Sequence, residues 1–238
     1  MKISCKTFWL NGVVLAGLLV SAGCANFRCC DTVFGVFPRC SCAPPDSSIV
    51  LFDGTDFSHW IGEDGNSVKW QLVNGTMKVV PGAGSIVTRQ NFQDFRLHVE
   101  FNIPELPPDV NGEARGNSGI YIQRRYEIQI LDSYDFQPTK TGCGAIYKIK
   151  APDKNVSRKL RKWQYFDILF RAPRWEDGKK IESARITVLQ NNVVIHNNVI
   201  IPDKTGAGQP EGPQPGPIKL QEHGSAVRFR NVWIVPLD

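Results

Sequence analysis

An all-β sandwich or jelly roll is the fold this sequence predicts, on three observations. Short apolar alternations recur from Ile49 onward, Gly-, Pro- and Asn-containing turns separate them, and no segment beyond the N-terminal leader holds a helical period. Strand side chains alternate between two faces, so an apolar/polar alternation marks a strand buried on one side. Regularly spaced strands of this kind close into a sandwich rather than a layered α/β domain.

The strands follow one another along the chain. Trp70-Gln71-Leu72-Val73 and Thr76 to Val80 flank Asn74-Gly75, a pair that accepts the positive φ of a type I′ hairpin turn. Phe95, Leu97, Val99 and Phe101 alternate with Arg96, His98 and Glu100, and Tyr165 to Phe170, Arg185 to Gln190 and Val193 to Ile201 continue the pattern. Two proline-rich loops, Pro104 to Gly116 and Gly206 to Pro217, each lead into a motif strand and are placed to rim a pocket. About 190 residues suit one such domain, assigned to residues 49–238.

The N-terminus reads as an export leader, residues 1–23. Lys2 and Lys6 precede an apolar run from Phe8 to Val20, and Ser21-Ala22-Gly23 supplies the small-residue cleavage site. Cys24 follows directly, as in a bacterial lipobox, which predicts acylation of its thiol, a lipid anchor to a membrane and a place in the cell envelope. Ser21 stands where such a box usually has Leu. Residues 24–48, with Pro38, Pro44 and Pro45, read as a tether. Cys29, Cys30, Cys40 and Cys42 lie in it; an exported compartment allows two disulfides in any of three pairings, additional acylation is the other reading, and their spacing fits a zinc site poorly. Cys143 reads as a small buried hydrophobe. The formal charge of +5 falls to +3 once Lys2 and Lys6 leave with the leader, too little to imply nucleic acid.

Two segments carry the chemistry. In the first, Asn117-Ser118-Gly119 runs into Tyr126 to Asp132; Tyr121, Gln123, Arg125, Glu127 and Gln129 share one face by parity, opposite Ile120, Ile122, Tyr126, Ile128 and Ile130. In the second, Gly216 to Gly224, Lys219, Gln221 and His223 oppose Ile218 and Leu220. Val227 to Ile234 follows, with Arg228 and Arg230 on one parity and Phe229, Asn231 and Trp233 on the other. One sheet carrying both polar rows assembles a carboxylate, an imidazole, amides and guanidinium groups. His223 is suited to proton transfer near neutral pH, whereas His59, His98 and His196 lack motif context and read as structural.

These blocks resemble the 3-keto-disaccharide hydrolase domain family. The matching features are Phe52-Asp53-Gly54, Trp60, Trp70, Asn74-Gly75, Asn117-Ser118-Gly119, Tyr126 to Asp132, Gly144 to Tyr147, Gly216 to Gly224 and Phe229 to Ile234. Asn191-Asn192 stands where the family usually has Asn-Gly, and Gln164 where Asn is usual. The resemblance implies a concanavalin A-like jelly roll of two antiparallel sheets and a saccharide substrate. It also implies cleavage of 3-keto-glycosides: a ketone at C3 acidifies C2–H, a base removes that proton, the glycosidic oxygen leaves, and water adds to the unsaturated product. On that reading Glu127 and His223 are the acid/base pair. Asn117, Arg125, Gln129, Asp132, Tyr147, Gln221 and Arg230 bind substrate or stabilise the enolate. No HExxH-like spacing exists, so a divalent-metal cofactor stays open. Two other readings compete: a two-carboxylate glycosidase, for which Gln129 stands where a second acid is needed, and a non-catalytic carbohydrate-binding module.

Overall fold

The computed structural model describes residues 43–237 and the strand residues 32–33 and 37–38. Cys24, the leader, and Cys29, Cys30, Cys40 and Cys42, on which the export, anchoring and disulfide expectations rest, lie outside the described residues. The strands, in chain order, are β1 (Thr32–Val33), β2 (Phe37–Pro38), β3 (Ile49–Phe52), β4 (Trp60–Gly62), β5 (Gln71–Val73), β6 (Thr76–Lys78), β7 (Ile86–Thr88), β8 (Asp94–Asn102) and β9 (Ser118–Ile122). They continue as β10 (Tyr126–Ile130), β11 (Gln164–Arg171), β12 (Arg174–Glu176), β13 (Lys179–Glu182), β14 (Ala184–Gln190), β15 (Val193–Ile201), β16 (Lys219–Leu220) and β17 (Arg228–Leu237).

Two antiparallel sheets form the sandwich. The smaller runs β10-β9-β16-β7-β4; the larger runs β15-β14-β11-β8-β17-β6-β5, with β3 also paired to β17. Between them lies one core, to which Ile120, Ile122, Ile128 and Leu220 contribute from the smaller sheet and Phe95, Leu97, Phe101, Phe166 and Phe229 from the larger. Phe101 stacks on Phe166 with centroids 5.1 Å apart, and Trp70 on Phe229 at 5.8 Å. Burying one such aromatic stabilises the fold by roughly 1.5–3 kcal/mol.

The hairpin turns follow the local chemistry. Asn74 and Gly75 adopt φ of 49° and 67°, the left-handed pair expected of the β5–β6 turn. Asn191 and Asn192 reach φ of 50° and 67° at the β14–β15 turn, so two asparagines achieve what Asn-Gly does, because their short side chains tolerate this region.

One strand breaks its expected alternation. In β17 the register shifts between Arg230 and Trp233, and Asn231 sits at φ 45°, which marks a bulge. The extra residue inverts the parity: Phe229, Val232 and Ile234 point into the core, while Trp233 turns outward and stacks on His98 with centroids 5.0 Å apart.

Candidate active site

The first motif segment is a hairpin rather than one strand. Glu127 of β10 sits directly opposite Tyr121 of β9, and Gln129 opposite Gly119. Gln123 and Arg124 take φ of 53° and 57° in the turn, which removes Gln123 and Arg125 from the polar row. β16 lies on the other side of β9, with Lys219 opposite Tyr121, and the Gln221 amide N–H donates to the Gly119 carbonyl at 2.9 Å. Both polar rows therefore share the outer face of the smaller sheet.

On that face lies a cavity of about 310 Å³. Its floor is Tyr121, Glu127, Gln129 and Gln221, and Asn117 and His223 also line it. The rim comes from Glu113, from Tyr147 and Lys148, and from Gly206 and Ala207. Both proline-rich loops thus reach the cavity, the first through Glu113 and the second through Gly206 and Ala207. Residues 145–147 run beside β10, Tyr147 donating its N–H to the Glu127 carbonyl at 3.1 Å, and the Thr205 hydroxyl accepts the Glu127 N–H at 2.7 Å. β10 is pinned along its outer edge.

The Glu127 carboxyl is almost wholly buried, at 3% exposure. Tyr121 donates its hydroxyl to Glu127 Oε2 at 2.7 Å, and the Gln221 amide approaches that hydroxyl at 3.5 Å. With its amide nitrogen turned toward the acceptors, Gln129 donates to the Ser118 carbonyl at 2.8 Å and to Glu127 Oε1 at 3.3 Å. Among the described residues no cation sits in direct contact with the carboxylate. Lys219 lies 4.9 Å over the Tyr121 ring and pairs with Glu63 at 2.7 Å. Burial therefore pushes the Glu127 pKa up to about 7, against the opposing pull of the Tyr121 hydrogen bond and the Lys219 charge. Burial also raises the Tyr121 phenol, which stays protonated as a donor. Burial and the hydrogen bond donated to Glu113, 2.7 Å, push Tyr147 up to about 12.

Glycine makes room for this carboxyl. A Cβ at Gly119 would stand 2.4 Å from Glu127 Oε1, and one at Gly206, whose φ is already +39°, 2.8 Å from the Tyr147 ring. Gly119 of the Asn-Ser-Gly motif therefore has a steric reason to lack a side chain. His223 is exposed at the mouth and makes no hydrogen bond to another described residue.

Six of the nine predicted site residues line this cavity: Asn117, Glu127, Gln129, Tyr147, Gln221 and His223. Three do not, and the reasons differ. Arg125 is in the β9–β10 turn, where it donates to the Pro210 carbonyl (3.2 Å), the Gln214 carbonyl (3.0 Å) and Gln123 Oε1 (2.9 Å), clamping the 206–217 loop. Asp132 lies past the end of β10, where Arg115 holds it in an ion pair. Arg230 belongs to the other sheet: it pairs with Glu100 at 2.6 Å and lies 4.0 Å over the Trp163 ring. Tyr121, Glu113 and Lys148 were missed as site residues, though parity had already put Tyr121 on the polar face. Among the described residues no group of three or more His, Cys, Asp or Glu side chains forms a metal-ligand set. Cys143 is buried and unpaired, as expected. His196 is buried against the Gly144 carbonyl at 2.8 Å, and burial lowers its pKa to about 4, which suits a neutral structural imidazole.

Residues 47–235 match the model of the 3-keto-alpha-glucoside-1,2-lyase-like domain. Among solved structures, a candidate glycosyl hydrolase from Parabacteroides distasonis is 37% identical with a TM-score of 0.72, covering 81% of this chain and 85% of that one. A second candidate glycosyl hydrolase from the same organism shares 21% identity at a TM-score of 0.60, over 80% and 94% of the two chains. The alginate lyase Aly36B shares the fold at 10% identity and a TM-score of 0.50, over 81% and 98%. No curated protein matches the chain.

Proposed function

The chain belongs to the 3-keto-alpha-glucoside-1,2-lyase-like family, and from that premise we propose that it cleaves 3-keto-glycosides by elimination and hydration, with Glu127 as the general base. The observation that carries the reading is the Glu127 environment: a buried carboxyl touched by no cation among the described residues, its pKa pushed up to about 7. Such a group is partly ionised at neutral pH and is a stronger base than an exposed carboxylate. Glu127 takes the proton from C2 of the 3-keto sugar, and the C2–H electrons form the enolate. Collapse of the enolate expels the glycosidic oxygen from C1, which takes a proton from His223. Water then adds at C1 of the resulting enone, and a proton returns to C2.

The Tyr121 hydroxyl keeps Glu127 oriented. Gln221 Oε1, buried and without a partner among the described residues, is an acceptor for a sugar hydroxyl. Asn117 and Lys148 supply donors at the cavity wall for the enolate oxygen.

The leader and Cys24 support the companion proposal of a lipid-anchored envelope protein. Mass spectrometry of the mature N-terminus tests that part, with an unmodified Cys24 as the contrary result. For the reaction, the purified protein is incubated with a 3-keto-α-glucosyl disaccharide, with and without chelator, and the products are identified. Release of 3-ketoglucose and the second sugar is expected, and His223→Ala is expected to lower the rate about 10²-fold. Glycan binding with no turnover in either condition overturns the enzymatic reading in favour of a binding module.

A further inference from the structure

Beside the Glu127 cavity lies a second and larger one, of about 530 Å³. The two share Glu113 as a wall, and the Gln129 side chain of the first reaches to 3.4 Å from the Thr141 carbonyl of the second. They therefore adjoin at Glu113. Phe136 is the prominent feature of the second cavity, its side chain left 54% exposed. Only one other aromatic, Tyr134 on the same loop, is among the exposed large hydrophobic side chains of the described residues.

An isolated exposed aromatic is ordinary, but this one is held in place. Its backbone N–H donates to the Ser133 carbonyl at 3.1 Å, and the Asn155 amide donates to the carbonyls of Ser133 (2.6 Å) and Phe136 (2.7 Å). Arg115 lies 5.7 Å over the ring, itself fixed by Asp132 and by the Val110 carbonyl at 3.0 Å. A ring fixed this way offers an apolar face at little entropic cost on binding. The polar lining is neutral apart from Glu113: Arg115 and Asp132 cancel, and Asn111, Gln137 and Thr139 offer amides and a hydroxyl. That combination fits an uncharged pyranose, with its C–H face on the aromatic ring and its hydroxyls on convergent polar groups. An anionic sugar would meet the charge of Glu113, which accepts from Tyr147 but has no cationic partner among the described residues.

We propose that this second cavity is the leaving-group subsite: the keto sugar occupies the Glu127 cavity and a neutral glycosyl unit beyond the scissile bond rests on Phe136. The inference builds on the elimination reading and assigns Asp132 a place in holding the second ring, by fixing Arg115.

A cycle of two enzymes and two substrates tests it. Wild type and Phe136→Ala are compared on a 3-keto-α-glucosyl-glucose disaccharide and on methyl 3-keto-α-glucoside, which lacks the second ring. The loss in kcat/KM caused by Phe136→Ala is expected to be about five- to tenfold greater on the disaccharide, read mainly in KM, with Phe136→Tyr restoring it. Equal losses on both substrates, or none on the disaccharide, overturn the subsite. Calorimetric titration with the unoxidised disaccharide reads the site without chemistry. If neither keto substrate is cleaved, the elimination reading fails; the subsite still stands if the disaccharide binds wild type about five- to tenfold tighter than Phe136→Ala, and fails if the two bind alike.

Discussion

Glu127 and Glu100 are the same residue type on strands of the two opposed sheets, each on the outward face, yet their chemistry diverges. Glu100 accepts from Arg230 at 2.6 Å and Asn231 at 2.9 Å, with His98 at 3.8 Å. Burial alone would raise its pKa, but the nearby His98 and the donors from Asn231 and Arg230 outweigh it and take it down to about 2. Glu127 is more deeply buried and has only the uncharged donors of Tyr121 and Gln129, so burial prevails and its pKa rises to about 7. Around Glu100 the charges are matched and the arrangement supports the fold. Around Glu127 no cation among the described residues touches the carboxylate, which costs stability and suits the base proposed above.

Removing the Glu127 charge gives the largest expected effect. Glu127→Gln should lower kcat/KM on a 3-keto-glycoside about 10²- to 10⁴-fold. The same change should stabilise the protein. A carboxyl whose folded pKa is raised from 4.5 to about 7 favours folding fully below its unfolded value and loses that contribution as pH climbs through 7. Glu127→Gln should therefore gain about 1–3 kcal/mol at pH 8 in denaturant unfolding, with the gain vanishing below about pH 4.5. A variant less stable than wild type at pH 8 would contradict the uncompensated charge.

The matched side should respond in the opposite sense. His98 is fully buried, 2.7 Å from Asp167 through Nδ1. Burial works against its charge, but the hydrogen bond to Asp167 and the nearby Glu100 carboxylate prevail and raise its pKa. Asp167→Asn should cost about 2–4 kcal/mol and leave turnover within about twofold of wild type. Because a raised imidazole pKa stabilises at low pH and loses that contribution as pH rises through it, the deficit should be larger at pH 6 than at pH 9. Chemical denaturation at the two pH values reads this; equal deficits would mean that the imidazolium is not the group being held.

Tyr121→Phe sharpens the comparison with a smaller effect. It removes the hydroxyl that holds the Glu127 pKa down, so the acid limb of the pH–rate profile, expected near 7 in wild type, should move to higher pH. At pH 7 the loss in kcat/KM should be about tenfold, shrinking at pH 9. A limb that stays put would show that another group sets it.

Much of this was legible in the sequence because strand periodicity fixes which side chains share a face. The alternation through Ile120, Ile122, Ile128 and Ile130 located the core, and Asn74-Gly75 located a hairpin turn. The same parity grouped Tyr121, Glu127 and Gln129, and it put Gln221 and His223 on a polar row. Parity does not say which sheet a strand joins, and this is why Arg230 was expected beside Glu127 while β17 carries it to Glu100. The bulge at Asn231 then inverted the alternation that had set Trp233 opposite Arg230. Arg125 was misread because the segment turns at Gln123 and Arg124, where counting by twos no longer tracks a sheet face. Glu113 and Lys148 reach the cavity from irregular segments, for which no periodic signal exists.

The reaction run in deuterium oxide tests the central claim most directly. Elimination and rehydration through Glu127 remove the C2 hydrogen and return one from solvent, so the 3-ketoglucose released should carry deuterium at C2 by NMR when observed faster than its spontaneous exchange. Cleavage that retains the C2 protium would contradict the account and point to direct displacement at C1.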